Sequence, residues 1–113
     1  MTVPNWGKIT PTQGDMLMVA GHVLHPHFVD AGTIDSDEDR LEAMRTGRER
    51  LRRRTGQDFG YDLSGWHELL LNSDDDQWGY RHPYAWGRVG PAIERAIADA
   101  DRIRLAQLLE QAG

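Results

Sequence analysis

Apolar residues recur along much of this chain at intervals of three and four, the spacing that places them on one face of an α-helix. The first such face consists of Met16, Leu17, Ala20, Val23 and Leu24. Thr10, Pro11 and Gln13 precede it in the order that a capping box requires. A first helix is therefore predicted to begin after Thr10 and to end at Pro26.

A second helix is predicted from the acidic segment 36–39 to about Thr55. Acidic residues fill its first turn and arginines fill its last turn, the order that the helix dipole favours. Its core stripe consists of Leu41, Met44 and Leu51. We expect Gly47 to weaken the middle of this helix, and Gly56 to end it in the left-handed conformation.

A third helix is predicted to begin after Asp62, a good capping residue. Trp66 at its fourth position is expected to meet Tyr61 as a hydrophobic staple. The apolar face of this helix consists of Trp66, Leu69 and Leu70. The stretch from Asn72 to Gly90 is long for a connection inside a small domain, so it is expected to have a function or to contain a short helix near residues 84–89.

The last helical pattern is predicted to open at Gly90 and Pro91, with a break at Asp99 or Asp101. Its two apolar stripes consist of Ile93, Ile97 and Ala100, and of Leu105, Leu108, Leu109 and Ala112. No strand pattern of useful length occurs between the helices. The predicted fold is all-α, a compact bundle of four or five short helices with one long aromatic loop.

Length and composition indicate one helical domain, residues 1–113, with a loose N-terminal arm over residues 1–9. The chain is 39% hydrophobic and has four Trp, three Tyr and two Phe, enough apolar material for a core. It has no cysteine, which excludes disulfides and thiolate chemistry. Its first residues lack a basic segment followed by an apolar stretch, and the longest apolar run is short, so we expect a cytoplasmic protein that does not enter a membrane.

The segment from Leu51 to Trp66 reads LRRRTGQDFGYDLSGW. It resembles the TGQDFGYDxxxW helix-turn-helix segment of bacterial HEAT-like helical repeat proteins, in which the glycine caps one helix and the aromatic residues wedge it against the next. The resemblance implies a local helical hairpin and favours protein binding. It transfers no catalytic residue, and the rest of the chain lacks repeated helix pairs.

Three groups of residues suggest chemistry, each with a simpler structural explanation. His22, His25 and His27 could form a zinc site of a metal-dependent hydrolase, or could be polar residues at a helix end. The acidic run 72–76 lacks the Gly and Glu spacing of an EF-hand, so an acidic turn explains it better. The arginines of residues 45–54 could bind nucleic acid, but they fan around a helix beside acids, and the net charge of -5 opposes general nucleic-acid binding.

The long connection carries the candidate contact surface for a partner. Its predicted partner-binding residues are Asp74, Asp75, Asp76, Trp78, Tyr80, His82, Tyr84 and Trp86. Trp and Tyr often dominate interface energy, and acids suit a basic cleft, although aromatic residues here could instead fill the core. With no catalytic triad, nucleotide motif or expected cofactor, the leading hypothesis is a bacterial immunity or antitoxin-like protein that neutralises a partner protein by covering it.

Overall fold

Several helices begin or end at the capping residues that the sequence predicts. The structure is a computed structural model that describes residues 9–24 and 36–112, without the side chains of Asp75 and Asp76. Its helices are α1 (Pro11–Val19), α2 (Asp37–Thr55), α3 (Leu63–Leu71), α4 (Asp75–Trp78), α5 (Pro83–Ile97) and α6 (Ala100–Ala112). Thr10, Ser36 and Asp62 cap α1, α2 and α3, and Gly56 ends α2 with a φ of 72°. The predicted all-α bundle is confirmed, and the described residues contain no strand.

The first helix is the centre of the bundle and is shorter than predicted. It contacts α2, α3 and α5, and it is buried on nearly every side, including its polar residues Thr12, Gln13 and Asp15. It ends at Val19, seven residues before Pro26, because Gly21 adopts a φ of 91°. The N–H groups of Gly21 and His22 donate back to the carbonyls of Met18 and Leu17 in a Schellman motif.

Gly47 is a close-packing position, so the prediction that it merely weakens α2 misses its role. A Cβ atom on Gly47 would lie 2.7 Å from the carbonyl oxygen of Asp15 and 2.8 Å from the backbone nitrogen of Val19. The absent side chain therefore lets the backbones of α1 and α2 approach each other, at the intrinsic cost of a glycine inside a helix.

The predicted long aromatic loop is largely helical. It contains α4 and the first turns of α5, which begins at Pro83 and continues through Pro91. The prediction that Gly90 and Pro91 open the last helix is therefore wrong. Pro91 removes one backbone hydrogen bond, but the buried face of α5 holds the helix in place on both sides of it. The predicted break near Asp99 is confirmed, since α5 ends at Ile97 and α6 begins at Ala100.

The core consists of two clusters. The main cluster combines α1, α3 and α5 with Leu51 of α2, whereas the second joins α6 to α2 through Met44, Tyr61 and Leu105. Trp66 belongs to the main cluster, and its ring contacts Phe59 edge-on, with centroids 5.0 Å apart. Tyr61 belongs to the second cluster, so this contact takes the place of the staple between Trp66 and Tyr61 that the sequence suggested. Within the described residues, no helix is long and apolar enough to cross a membrane.

Buried Arg102 joins the two parts of the bundle. Its guanidinium donates hydrogen bonds to the carbonyl oxygens of Ala96 at 2.6 Å, Ile97 at 3.4 Å and Tyr61 at 3.4 Å. Two of these carbonyls lie at the C-terminal end of α5, where backbone acceptors lack helical partners. A side chain of α6 thus caps α5 and also holds the α2–α3 link.

Candidate interaction surface

The polar residues that begin α1 also hold the segment 79–82 in place. Thr10 Oγ1 donates to the carbonyl oxygen of Gly79 at 3.0 Å. Gln13 Nε2 donates to the carbonyl oxygens of Tyr80 at 2.9 Å and His82 at 3.2 Å. The backbone between α4 and α5 is therefore tied to the central helix, which orients the aromatic side chains on either side of it.

Tyr80 belongs to the core. Its side chain is 1% exposed, its hydroxyl lies 2.6 Å from His67 Nδ1, and its ring meets Trp86 edge-on with centroids 5.0 Å apart. Burial raises the pKa of Tyr80 and lowers the pKa of His67, so both groups are held in their neutral forms. Tyr80, one of the predicted contact residues, thus fills the core, as the alternative interpretation of the aromatic residues expected. It is not accessible to a partner in this fold.

Tyr84 is the most exposed large hydrophobic residue of the described chain, with 64% of its surface accessible. His82 caps α5, because its Nδ1 accepts a hydrogen bond from the Tyr84 N–H at 3.4 Å. The two rings also contact each other, with centroids 4.8 Å apart. Tyr84 is therefore a projecting aromatic side chain on a capped helix end, whereas Trp86, two residues later, is half-buried and packs against the core.

Trp78 lies in an open groove between α3 and α4. The groove has a volume of about 490 Å³ and is lined by Phe59, Gly65, Glu68, Leu69, Asn72, Ser73, Gln77 and Trp78. Its apolar walls are formed by Trp78, by Phe59, which is 40% exposed, and by the half-buried Leu69, and polar residues complete the lining. The sequence prediction included Trp78 and missed Phe59, whose position in a short link between two capped helices is the signal that could have pointed to exposure.

The acidic run lies beside this groove. Asp74 is exposed and follows the groove residue Ser73, whereas the side chains of Asp75 and Asp76 lie outside the described part of the structure. Glu68 is an exposed acid that lines the groove itself. Arg81 donates to the carbonyl oxygen of Ser73 at 3.2 Å, which places one cation near the acidic run.

Most of the clustered arginines of α2 are paired with acids. Arg48 donates two hydrogen bonds to Asp58, at 3.1 and 3.0 Å, and the pair lowers the pKa of Asp58 to about 2. Arg53 pairs with Glu49 at 3.2 Å, and Arg54 donates twice to the buried carboxylate of Asp15. These pairs reduce the net positive charge that this helix could offer to a phosphate backbone.

Asp15 is subject to two opposing influences. Burial raises its pKa. The hydrogen bond that Arg54 Nη2 donates to Asp15 Oδ2, at 2.9 Å, opposes that shift. Arg50 is a weaker partner, 3.9 Å from the same carboxylate. Because the side chain of Asp15 is 2% exposed, we interpret it as a structural ion pair between α1 and α2.

The predicted zinc site lies partly outside the described residues. His22 follows α1, whereas His25 and His27 lie outside the described residues, so that site stays a prediction. No cluster of three or more His, Asp or Glu side chains in residues 9–24 and 36–112 has an arrangement that could hold a metal ion.

Comparisons of this chain with protein-family models, with curated proteins and with solved structures give no match. The relation of residues 51–66 to HEAT-like repeat proteins therefore also stays a prediction. The glycine cap that the resemblance implies is present, since Gly56 ends α2.

Proposed function

We propose that this protein binds another protein and neutralises it by covering a functional surface, in the manner of bacterial immunity proteins and antitoxins. The observation that carries the proposal is the exposure of Tyr84 on a segment that is otherwise anchored. Tyr80 and the hydrogen bonds from Gln13 fix the segment to the core, while Tyr84 projects from it. Because the backbone that carries Tyr84 is already anchored, binding needs to order only its side chain, which has few rotatable bonds, and this favours its use as an interface anchor.

The charge of the protein supports a basic partner. The net charge is -5, and the acids at positions 74–76 precede the aromatic residues, which begin at Trp78. An acidic surface accelerates encounter with a basic cleft and disfavours acidic competitors. The paired arginines of α2 make nucleic acid a weaker candidate for the partner.

A pull-down with a tagged chain from a lysate of the source cells tests this proposal. We expect one protein to be recovered in stoichiometric amount, and the Tyr84→Ala variant to bind it about thirtyfold more weakly, as at an interface hot spot. Leu108→Ala is the matched control, because Leu108 is 45% exposed but lies on α6. Repeated recovery of no partner would refute the proposal, and equal losses for both variants would refute the placement of the surface.

A further inference from the structure

We infer that the groove between α3 and α4 binds a basic amphipathic segment of the partner protein. In this arrangement an apolar side chain of the partner lies between Phe59 and Trp78, and an arginine or lysine beside it faces Glu68. The inference rests on the proposed function and adds to it the chemistry of the partner and a second point of contact.

The apolar walls of the groove are held by the core behind them. The Phe59 ring packs edge-on against Trp66, at an interplanar angle of 83°, and Trp66 Nε1 donates to the carbonyl oxygen of Gly60 at 2.9 Å. Trp78 and Leu69 both pack against the main core cluster. These walls are already ordered before binding, so an apolar side chain entering the groove displaces water without ordering them.

Glu68 provides the preference for a cation. Its carboxylate has no ion pair or hydrogen bond among the described residues, unlike Glu49 and Asp58, which pair with arginines of α2. An arginine of the partner could pair with Glu68 and also stack on an aromatic wall of the groove. The groove therefore combines apolar walls with an acid that pairs with no other described residue, and a basic amphipathic segment supplies both complements.

The size and shape of the groove favour side chains that project from a folded partner. Its volume of about 490 Å³ is within the range of ligand sites, ~300–1,000 Å³. It is open to solvent, so it would leave much of an isolated small molecule exposed. A helix laid along it could insert side chains one turn apart while its backbone stays outside.

Synthetic peptides of about three helical turns test the inference directly. One peptide carries a leucine stripe flanked by arginines, and two others have the same stripe flanked by glutamates or serines. Binding is followed by the amide and indole shifts of the ¹⁵N-labelled protein. We expect the arginine peptide alone to shift groove residues such as Gly65, Gln77 and the Trp78 indole at submillimolar concentration.

Adding positive charge inside the groove provides a sharper test. Glu68 and Gln77 are exposed, so Glu68→Lys and Gln77→Arg should fold normally. Each should weaken binding of the arginine peptide about fivefold or more at low salt, and Glu68→Lys should invert the preference towards the glutamate peptide. Glu110→Lys makes the same charge change as Glu68→Lys at an exposed site on α6 and should leave binding unchanged.

Several outcomes would overturn the inference. Equal binding of all three peptides, shifts outside the groove, or no shifts at millimolar peptide would each do so. If the cellular partner binds the wild-type chain and both groove variants equally well, the groove inference fails while the proposed function stands. If no cellular partner is recovered but the arginine peptide binds as expected, the proposed function fails, whereas the preference of the groove for a basic amphipathic segment stands.

Discussion

Replacing Gly47 with alanine tests the close contact between α1 and α2, on which the centre of the bundle depends. The added Cβ would lie 2.7 Å from the Asp15 carbonyl oxygen and 2.8 Å from both the nitrogen and Cγ2 of Val19. Two of these three atoms belong to the backbone of α1 and cannot rotate away. Either α1 or α2 must therefore shift, which disturbs the most extensive helix contact in the structure.

The expected magnitude is the difference between two opposing effects. Alanine is favoured over glycine inside a helix by about 1 kcal/mol. Overpacking a tight contact costs about 1–3 kcal/mol, and the rigid backbone at this site places the cost near the upper end. We therefore expect Gly47→Ala to lower the free energy of unfolding by about 2 kcal/mol and Tm by about 8 °C.

Urea unfolding followed by tryptophan fluorescence or circular dichroism measures this change, with Gly87→Ala as the matched control. Gly87 is also inside a helix, but it is exposed, and a Cβ there would have no neighbour within 4 Å beyond the helix's own backbone. We expect Gly87→Ala to raise stability by about 0.5–1 kcal/mol. Stabilisation by both substitutions would refute the close approach of α1 and α2.

Three further predictions concern buried polar groups and the backbone. Burial lowers the pKa of His67, so the unfolded chain binds a proton more readily than the native protein. The free energy of unfolding should therefore fall as pH drops below about 6.5. Urea titrations at neutral and mildly acidic pH should show a smaller loss for His67→Gln. Arg102→Met leaves three carbonyls without their donor and should cost about 2–3 kcal/mol in urea unfolding, with Arg102→Lys in between; an unchanged midpoint would contradict this role. Pro91→Ala restores a helical N–H at an exposed position, so it should raise the free energy of unfolding by about 1–2 kcal/mol and Tm with it. A lower Tm would show that the proline ring itself stabilises α5.

The candidate surface was only partly predictable from the sequence. The alternation of aromatic residues from Trp78 to Trp86 led to the prediction of a contact segment, but periodicity could not separate the buried Tyr80 from the exposed Tyr84. That separation depends on His67 and Gln13, which are distant in the sequence and reach Tyr80 only in the folded chain. The contribution of Phe59 to the groove likewise arises from the packing of α4 near α3.

The sequence by itself determined the helix ends that depend on neighbouring residues. Thr10, Ser36 and Asp62 each accept a hydrogen bond from a backbone N–H three residues later, and Gly56 provides a left-handed end, so these signals act without the rest of the fold.

Only the tertiary structure decided which surfaces are buried. In the folded chain α1 is surrounded by other helices, and the close contact between α1 and α2 requires a glycine at position 47. Helix α5 continues through Pro91 because its buried face on both sides of the proline outweighs one lost hydrogen bond. These outcomes depend on contacts between residues far apart in the chain, whose free energies are comparable to the local preferences they override.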